Sequence, residues 1–218
     1  MEGGEPLRTP GIRQYLEPKE IYRRSYAEIA KEFGDYTGPA DEMLIRTRIA
    51  HAMADVELAK TFVLHPKAVS SGVSALRSGA NIVTDVTMVE AGIKSRLPED
   101  YGGRLSCFLN HAGVAEEAKR VGGTKSAVAL ALGIGEFDGG IVAIGNAPTA
   151  LFELIDLIGE GRASPALVVG VPVGFVGAAE SKLELMELDV PYISNPDRRG
   201  GSPLAAAIVN GLLHLAFA

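Results

Sequence analysis

The sequence predicts an α/β fold: a mainly parallel central sheet with helices on both faces, preceded by a helical N-terminal portion. Short apolar runs, ANIVTD (80–85), LSCFL (105–109), GIVAIG (140–145), ALVVG (166–170) and PYIS (191–194), alternate with helix-like segments. That is the pattern of strands buried on both faces. Before residue 80 the apolar spacing is helical only. With 218 residues, 47% of them apolar, and 26 glycines for close approach, the chain can bury one sizeable core as a single α/β domain over 1–218.

The elements follow in order. PKEIYRRSYAEIAKEF (18–33) spaces Ile21, Tyr22, Tyr26 and Ile29 helically, with Pro18 in the first turn. ADEMLIRTRIAHAMADVELAKTF (40–62) reads as one helix with Ile45, Ile49, Ala52, Met53 and Val56 on its apolar face. HPKAVSSGVSALRSG (65–79) reads as a third, stopping at Gly79. Ligands of such sheets sit beyond the carboxyl ends of the strands. The strand runs end at Thr84 and Asp85, Asn110 and His111, Gly145 and Asn146, and Gly170 with Pro172. Residues 1–11 are expected to be a flexible N-terminus.

Composition excludes several classes. A formal charge of −6 argues against general nucleic-acid binding. One cysteine, Cys107, allows no internal disulfide, and no histidine pair has metal-ligand spacing. MEGGEPLRTP lacks the apolar core of a signal peptide, and the apolar run PLAAAIVNGLLHLAFA is too short to span a bilayer and is interrupted by Asn210 and His214. A cytoplasmic protein without membrane or metal partners is expected.

His51 is the leading acid or base: Arg48 lies three positions before it and Asp55 four after, so all three share the helix face opposite the apolar one. The competing reading is a solvated surface triad. His65 reads as structural, His111 as unassigned, and His214 as a core or interface residue. Two helix starts could receive anions: GGTKSAVALAL, with Thr124 as N-cap and Lys125 in the first turn, and GNAPTALFELIDLI, with Asn146 before Pro148. Capping alone would explain both. Arg198 and Arg199 follow a strand and enter a glycine turn; Arg24 and Ser25 complete the donors. Thr84 and Asp85 are further strand-end candidates, although Asp is also a favoured cap. VGVPVGFVGAAESK (169–182) is a glycine-rich loop with only Lys182 as a basic neighbour, unlike a P-loop.

IYRRSYAEI, RIAHAMADVE, AIGNAPTALFELI and VGVPVGFVGAAESK, continued by VPYISNPDRRGGSPLAAAIVN, resemble the precorrin-8X methylmutase family, including its cobalt-precorrin-8 branch, from about residue 12 onward. The resemblance implies an isomerase that moves a methyl group from C-11 to C-12 of a tetrapyrrole-derived polycarboxylate in cobalamin biosynthesis. It implies no cofactor and no catalytic protein-bound metal, and a homodimer with active sites near the subunit interface. His51 would protonate the ring and ease a sigmatropic shift. Arg24, Ser25, Thr84, Asp85, Lys125, Asn146 and Arg198 would bind substrate over a glycine-lined floor. Lys125 stands where an arginine is expected, which keeps the charge but loses the bidentate fork; Met53 replaces a frequent cysteine. A corrinoid carrier without catalysis, and a nucleotide-dependent α/β enzyme, are the alternatives.

Overall fold

The computed structural model describes residues 16–218; the expected flexible N-terminus, 1–11, lies outside them. Six strands form one sheet: β1 (Val63–Leu64), β2 (Ile82–Thr84), β3 (Leu105–Cys107), β4 (Ile141–Ile144), β5 (Leu167–Gly170) and β6 (Tyr192–Ser194), in the order β1-β6-β5-β4-β2-β3. All pairings are parallel except β1 with β6. The five longer strands coincide with the five apolar runs. β1 was not expected, because two residues carry no periodicity to read.

Strand residues alternate between two cores. Ile141, Ala143, Leu167, Val169 and Ile193 face one layer, made of α2 (Ala40–Met53), α4 (Ala68–Arg77), α5 (Thr87–Lys94) and α10 (Ser202–Phe217). Val142, Ile144 and Val168 face the other, made of α7 (Lys125–Leu132), α8 (Pro148–Gly159) and α9 (Ala178–Met186). α1 (Pro18–Phe33) lies outside α2, and α6 (Val114–Val121) packs beside α7. The expected Pro18 start is observed, and Gly79 takes a left-handed φ of 70° just beyond α4.

The long second helix is broken. α2 ends at Met53, Ala54 is left-handed at φ 50°, and α3 (Val56–Thr61) begins again after Asp55. Asp55 is the N-cap of α3, accepting from the Leu58 amide at 2.7 Å. It therefore does not share a helix face with Arg48 and His51. A capping carboxylate at Asp55 ends the run more effectively than the apolar spacing prolongs it. The buried side of α2 is Ile45, Arg46, Ile49 and Ala50, whereas Ala52 and Met53 are exposed. Buried Arg46 donates to the carbonyls of Ala59 and Phe62 at 2.8 and 3.0 Å, fastening α2 to the end of α3.

The chain leaves β2 for β3 in one direction and winds β4, β5 and β6 in the other. The carboxyl ends of β2 and β4 thus form the switch point at which open α/β sheets present ligand crevices.

Candidate active site

At the switch point the crevice is filled from within. The Asp85 side chain is buried; its Oδ1 accepts from the Gly145 amide at 3.0 Å and its Oδ2 from the Asn146 and Ala147 amides, both at 2.8 Å. Burial pushes its pKa up, and the three amides pull the other way. Thr84 is also buried, its hydroxyl 3.4 Å from the carbonyls of Val86 and Ser106. Both had been expected to bind substrate; both instead turn inward. Asp85 already occupies the amides ahead of α8 and so fixes the backbone carrying Asn146.

Around this anchor, helix starts gather. Thr124 caps α7, accepting from the Ala127 amide, and its Oγ1 lies 2.7 Å from that of Thr149 in the first turn of α8. Lys125, the first residue of α7, and Asn146, just ahead of α8, are thereby held on neighbouring helix starts. On the far side, α10 starts after Gly201. A Cβ at Gly145 would lie only 2.8 Å from Ser202 Cα.

The glycine-rich loop bridges β5 and α9. A Cβ at Gly200 would strike the carbonyl oxygens of Val171 and Pro172, so this glycine lets the 195–201 segment run against the loop. The Gly174 amide donates to the Arg198 carbonyl at 3.2 Å, and the Arg198 guanidinium stacks over Phe175, 4.8 Å from the ring centre. Phe175 and Val176 are each 87% exposed, which leaves an apolar tip beside a cation.

Lys182 proves to be the support of this corner, a role that sequence reasoning missed. It is fully buried, with Nζ donating to Asn195 Oδ1 at 3.1 Å and to the Arg199 carbonyl at 2.8 Å. The one signal was a lysine four residues into an apolar helix. Burial lowers its pKa from 10.5 to about 8, against the pull of Asp197. The folded chain therefore holds this proton less firmly than the unfolded chain does. The cost is fully present below pH 8 and is relieved as pH rises toward 10.5, by about 3 kcal/mol in all. Burial also raises Tyr101 to about 12 and pushes up Cys107, which bends stability the opposite way above pH 9. Urea titrations of wild type and Lys182→Met cancel those terms. The stability difference should move in favour of wild type between pH 8 and 10; a constant difference would mean that Lys182 does not titrate there.

His51 occupies the last turn of α2 and is exposed. Its ring lies 5.7 Å from the Tyr22 ring and 5.3 Å from Tyr26, both on α1. Among the described residues no hydrogen bond engages either ring nitrogen, so His51 is positioned by aromatic contact and stays free to exchange a proton. It stands between two cavities. One, of about 370 Å³, is lined by Tyr22, Tyr26, Arg48, Arg96, Asn210 and His214 among others. The second, of about 270 Å³, is lined by Ser25, Glu28, Ile29 and Asp55. Arg199 links this region to the sheet rim, its Nη1 being 3.4 Å from Asp55 Oδ2.

Of the remaining expected residues, Ser25 thus shares a cavity with His51. Arg24 is exposed on α1 and paired at 2.6 Å with Glu20, which Arg23 and Arg24 together hold at about 2. Such a surface pair is readily exchanged for another carboxylate. His65 is structural, its Nδ1 accepting from the Lys67 amide and its ring against Tyr192. His214 is not a core residue: it is exposed at the cavity wall. Among the described residues no group of three or more His, Cys, Asp or Glu could hold a metal ion, and no helix is long and apolar enough to cross a membrane.

The family model for precorrin-8X methylmutase matches residues 20–215. The chain belongs to the precorrin-8X methylmutase family. It is 44% identical over 201 residues to the cobalt-precorrin-8 methylmutase of Priestia megaterium, covering 92% of this chain and 89% of that one. It is 45% identical over 196 residues to the precorrin-8X methylmutase of Pseudomonas aeruginosa, covering 88% and 93%. The solved precorrin-8X methylmutase of Thermus thermophilus superposes with a TM-score of 0.83 at 37% identity, over 91% of this chain and 96% of that one. The chain is accordingly an enzyme, a methylmutase acting as an isomerase in cobalamin biosynthesis. The carrier reading is not favoured.

Proposed function

We propose that this methylmutase moves a methyl group from C-11 to C-12 of precorrin-8X or of cobalt-precorrin-8, giving hydrogenobyrinate or cobyrinate, with His51 as the proton donor. The observation that carries the reading is the His51 ring, clasped by two tyrosines and unbonded, at the wall of two cavities. The reaction balances within the substrate: the bond from C-11 breaks as that to C-12 forms, and no atom is gained or lost. A proton lent by His51 must therefore return, which suits an imidazole, a side chain able to act as both general acid and general base. No redox cofactor is called for.

Arg24, Ser25, Lys125, Asn146 and Arg198 are proposed to meet the ring's acetate and propionate groups, with the apolar tip at Phe175 and Val176 against its face. Asp85 and Thr84 act behind them by fixing backbone. The two substrates share one rim of carboxylates. Relatives named for the cobalt form and for the metal-free form are almost equally similar, at 44% and 45%. The protein is proposed to work in the cytoplasm as a homodimer, a second copy covering apolar surface such as Val121 and Leu132, each about half exposed.

The test is to mix the purified protein with each ring and follow the visible spectrum. Conversion of at least one chromophore at catalytic enzyme concentration is expected. A ring that binds with its spectrum unchanged would leave only a carrier and end the proposal.

A further inference from the structure

The two adjacent arginines of the 195–201 turn are put to different uses. Arg198 lies over Phe175 and, among the described residues, is in no ion pair. Arg199 is tied down along its whole length. Its carbonyl accepts from Lys182 Nζ at 2.8 Å and from Asn195 Nδ2 at 3.0 Å, and its amide donates to Asp197 Oδ1 at 2.7 Å. Nε and Nη2 donate to Asp197 Oδ2 at 3.0 and 2.7 Å, which leaves Nη1 to reach Asp55 Oδ2 at 3.4 Å. Of the ion pairs among the described residues, all but this one and Arg104–Glu136 join residues within four positions in sequence. Arg104 and Glu136 stand ahead of β3 and β4, at the opposite end of the sheet. The other foot of the Arg199 contact belongs to the turn that follows His51. The Asp55 amide donates at 3.2 Å to the carbonyl of Ala50, the residue before His51, and Oδ1 caps α3 through the Leu58 amide. One carboxylate thus serves two elements, one oxygen each. Left unpaired, it would repel the ring's own carboxylates.

We propose that Arg199 and Asp55 form a strut that sets the distance between the His51 imidazole and the turn bearing Arg198, with Arg199 a positioning residue and not a substrate ligand. The inference rests on the reading above that His51 gives the proton and Arg198 meets the ring. The strut joins segments 144 positions apart, and both its feet are fixed: Arg199 through the buried Lys182, and Asp55 through the last turn of α2. With side chains 47% and 38% exposed, the pair adds little to stability. Its effect lies in geometry. Proton transfer requires the donor within hydrogen-bond reach of the ring, and a misplacement of about 1 Å costs roughly 10²-fold in rate.

Asp55→Asn separates the strut from the cap. Asparagine caps a helix about as well as aspartate, so the Leu58 amide keeps its acceptor while the charge that draws Arg199 is gone. The kcat for isomerisation should fall by about tenfold, with KM within about twofold of wild type, because Lys182 still holds the turn that carries Arg198. The melting temperature should stay within about 4 °C of wild type. Arg199→Gln should lower kcat as well, and in that background Asp55→Asn should add less than about twofold, since one strut breaks only once. Arg199→Lys keeps the charge without the fork and should recover part of the rate. If wild type isomerises the ring and Asp55→Asn keeps its kcat, or raises KM instead, or if the two losses multiply, the strut is wrong and the function stands. If wild type does not isomerise the ring at all, the function fails and the strut as assigned fails with it.

Discussion

Turnover by a His51→Ala variant is expected to fall by ~10²–10⁴-fold, the usual contribution of a general acid, while affinity for the ring changes little. The separation of the two effects follows from the surroundings of the side chain. His51 is exposed, no hydrogen bond within the described chain depends on it, and its neighbours Tyr22 and Tyr26 are on another helix. Alanine is a better helix former than histidine, so stability should stay within about 0.5 kcal/mol. On the proposed reading, the substrate's carboxylate arms meet donors such as Lys125 and Arg198, which the substitution leaves in place. Single-turnover kinetics, an absorbance titration of the ring and a melting curve on the same preparation measure the three quantities. Equal rates for variant and wild type would remove the imidazole from the mechanism. A loss of binding as large as the loss of rate would make it a ligand rather than a proton donor.

Much of the scaffold was legible because the forces that build it leave periodic traces. The four buried strands β2, β4, β5 and β6 and the half-buried edge strand β3 are mostly apolar, and α1 begins where Pro18 permits. Thr124 and Pro148 marked the starts of α7 and α8 correctly, since caps act over one turn and need no tertiary information. The break at Ala54 was hidden by continuous apolar spacing; Asp55 followed three residues later by Leu58 was the local clue to a new cap. Candidate site residues divided along the same line. That His51 would be accessible could be read from the helix face, but its pairing with α1 tyrosines could not. Asp85 and Lys182 show the limit most clearly. Their charges look available in the sequence, and only the fold reveals that Asp85 is spent on three backbone amides and Lys182 on the 195–199 segment.

Asp85→Ala should be the most damaging substitution for stability. Removing the carboxylate strands the amides of Gly145, Asn146 and Ala147 in a site where the side chain is only 2% exposed. A buried donor without a partner costs about 1–3 kcal/mol; partial relief by entering water brings the expected total to about 3 kcal/mol. For a chain of this size that lowers the melting temperature by about 6–12 °C. Asp85→Asn keeps the shape but offers one acceptor oxygen, with an amide nitrogen facing donors where the second was, so it should fall between alanine and wild type. The mechanism also predicts a rescue. Three converging amides ahead of α8 are an anion site once the internal carboxylate is gone, so acetate should raise the melting temperature of the alanine variant and leave wild type unmoved. Rescue by acetate would identify Asp85 as a built-in occupant of the switch-point crevice. A melting temperature equal to wild type would show instead that the loop carrying Asn146 holds its shape without it.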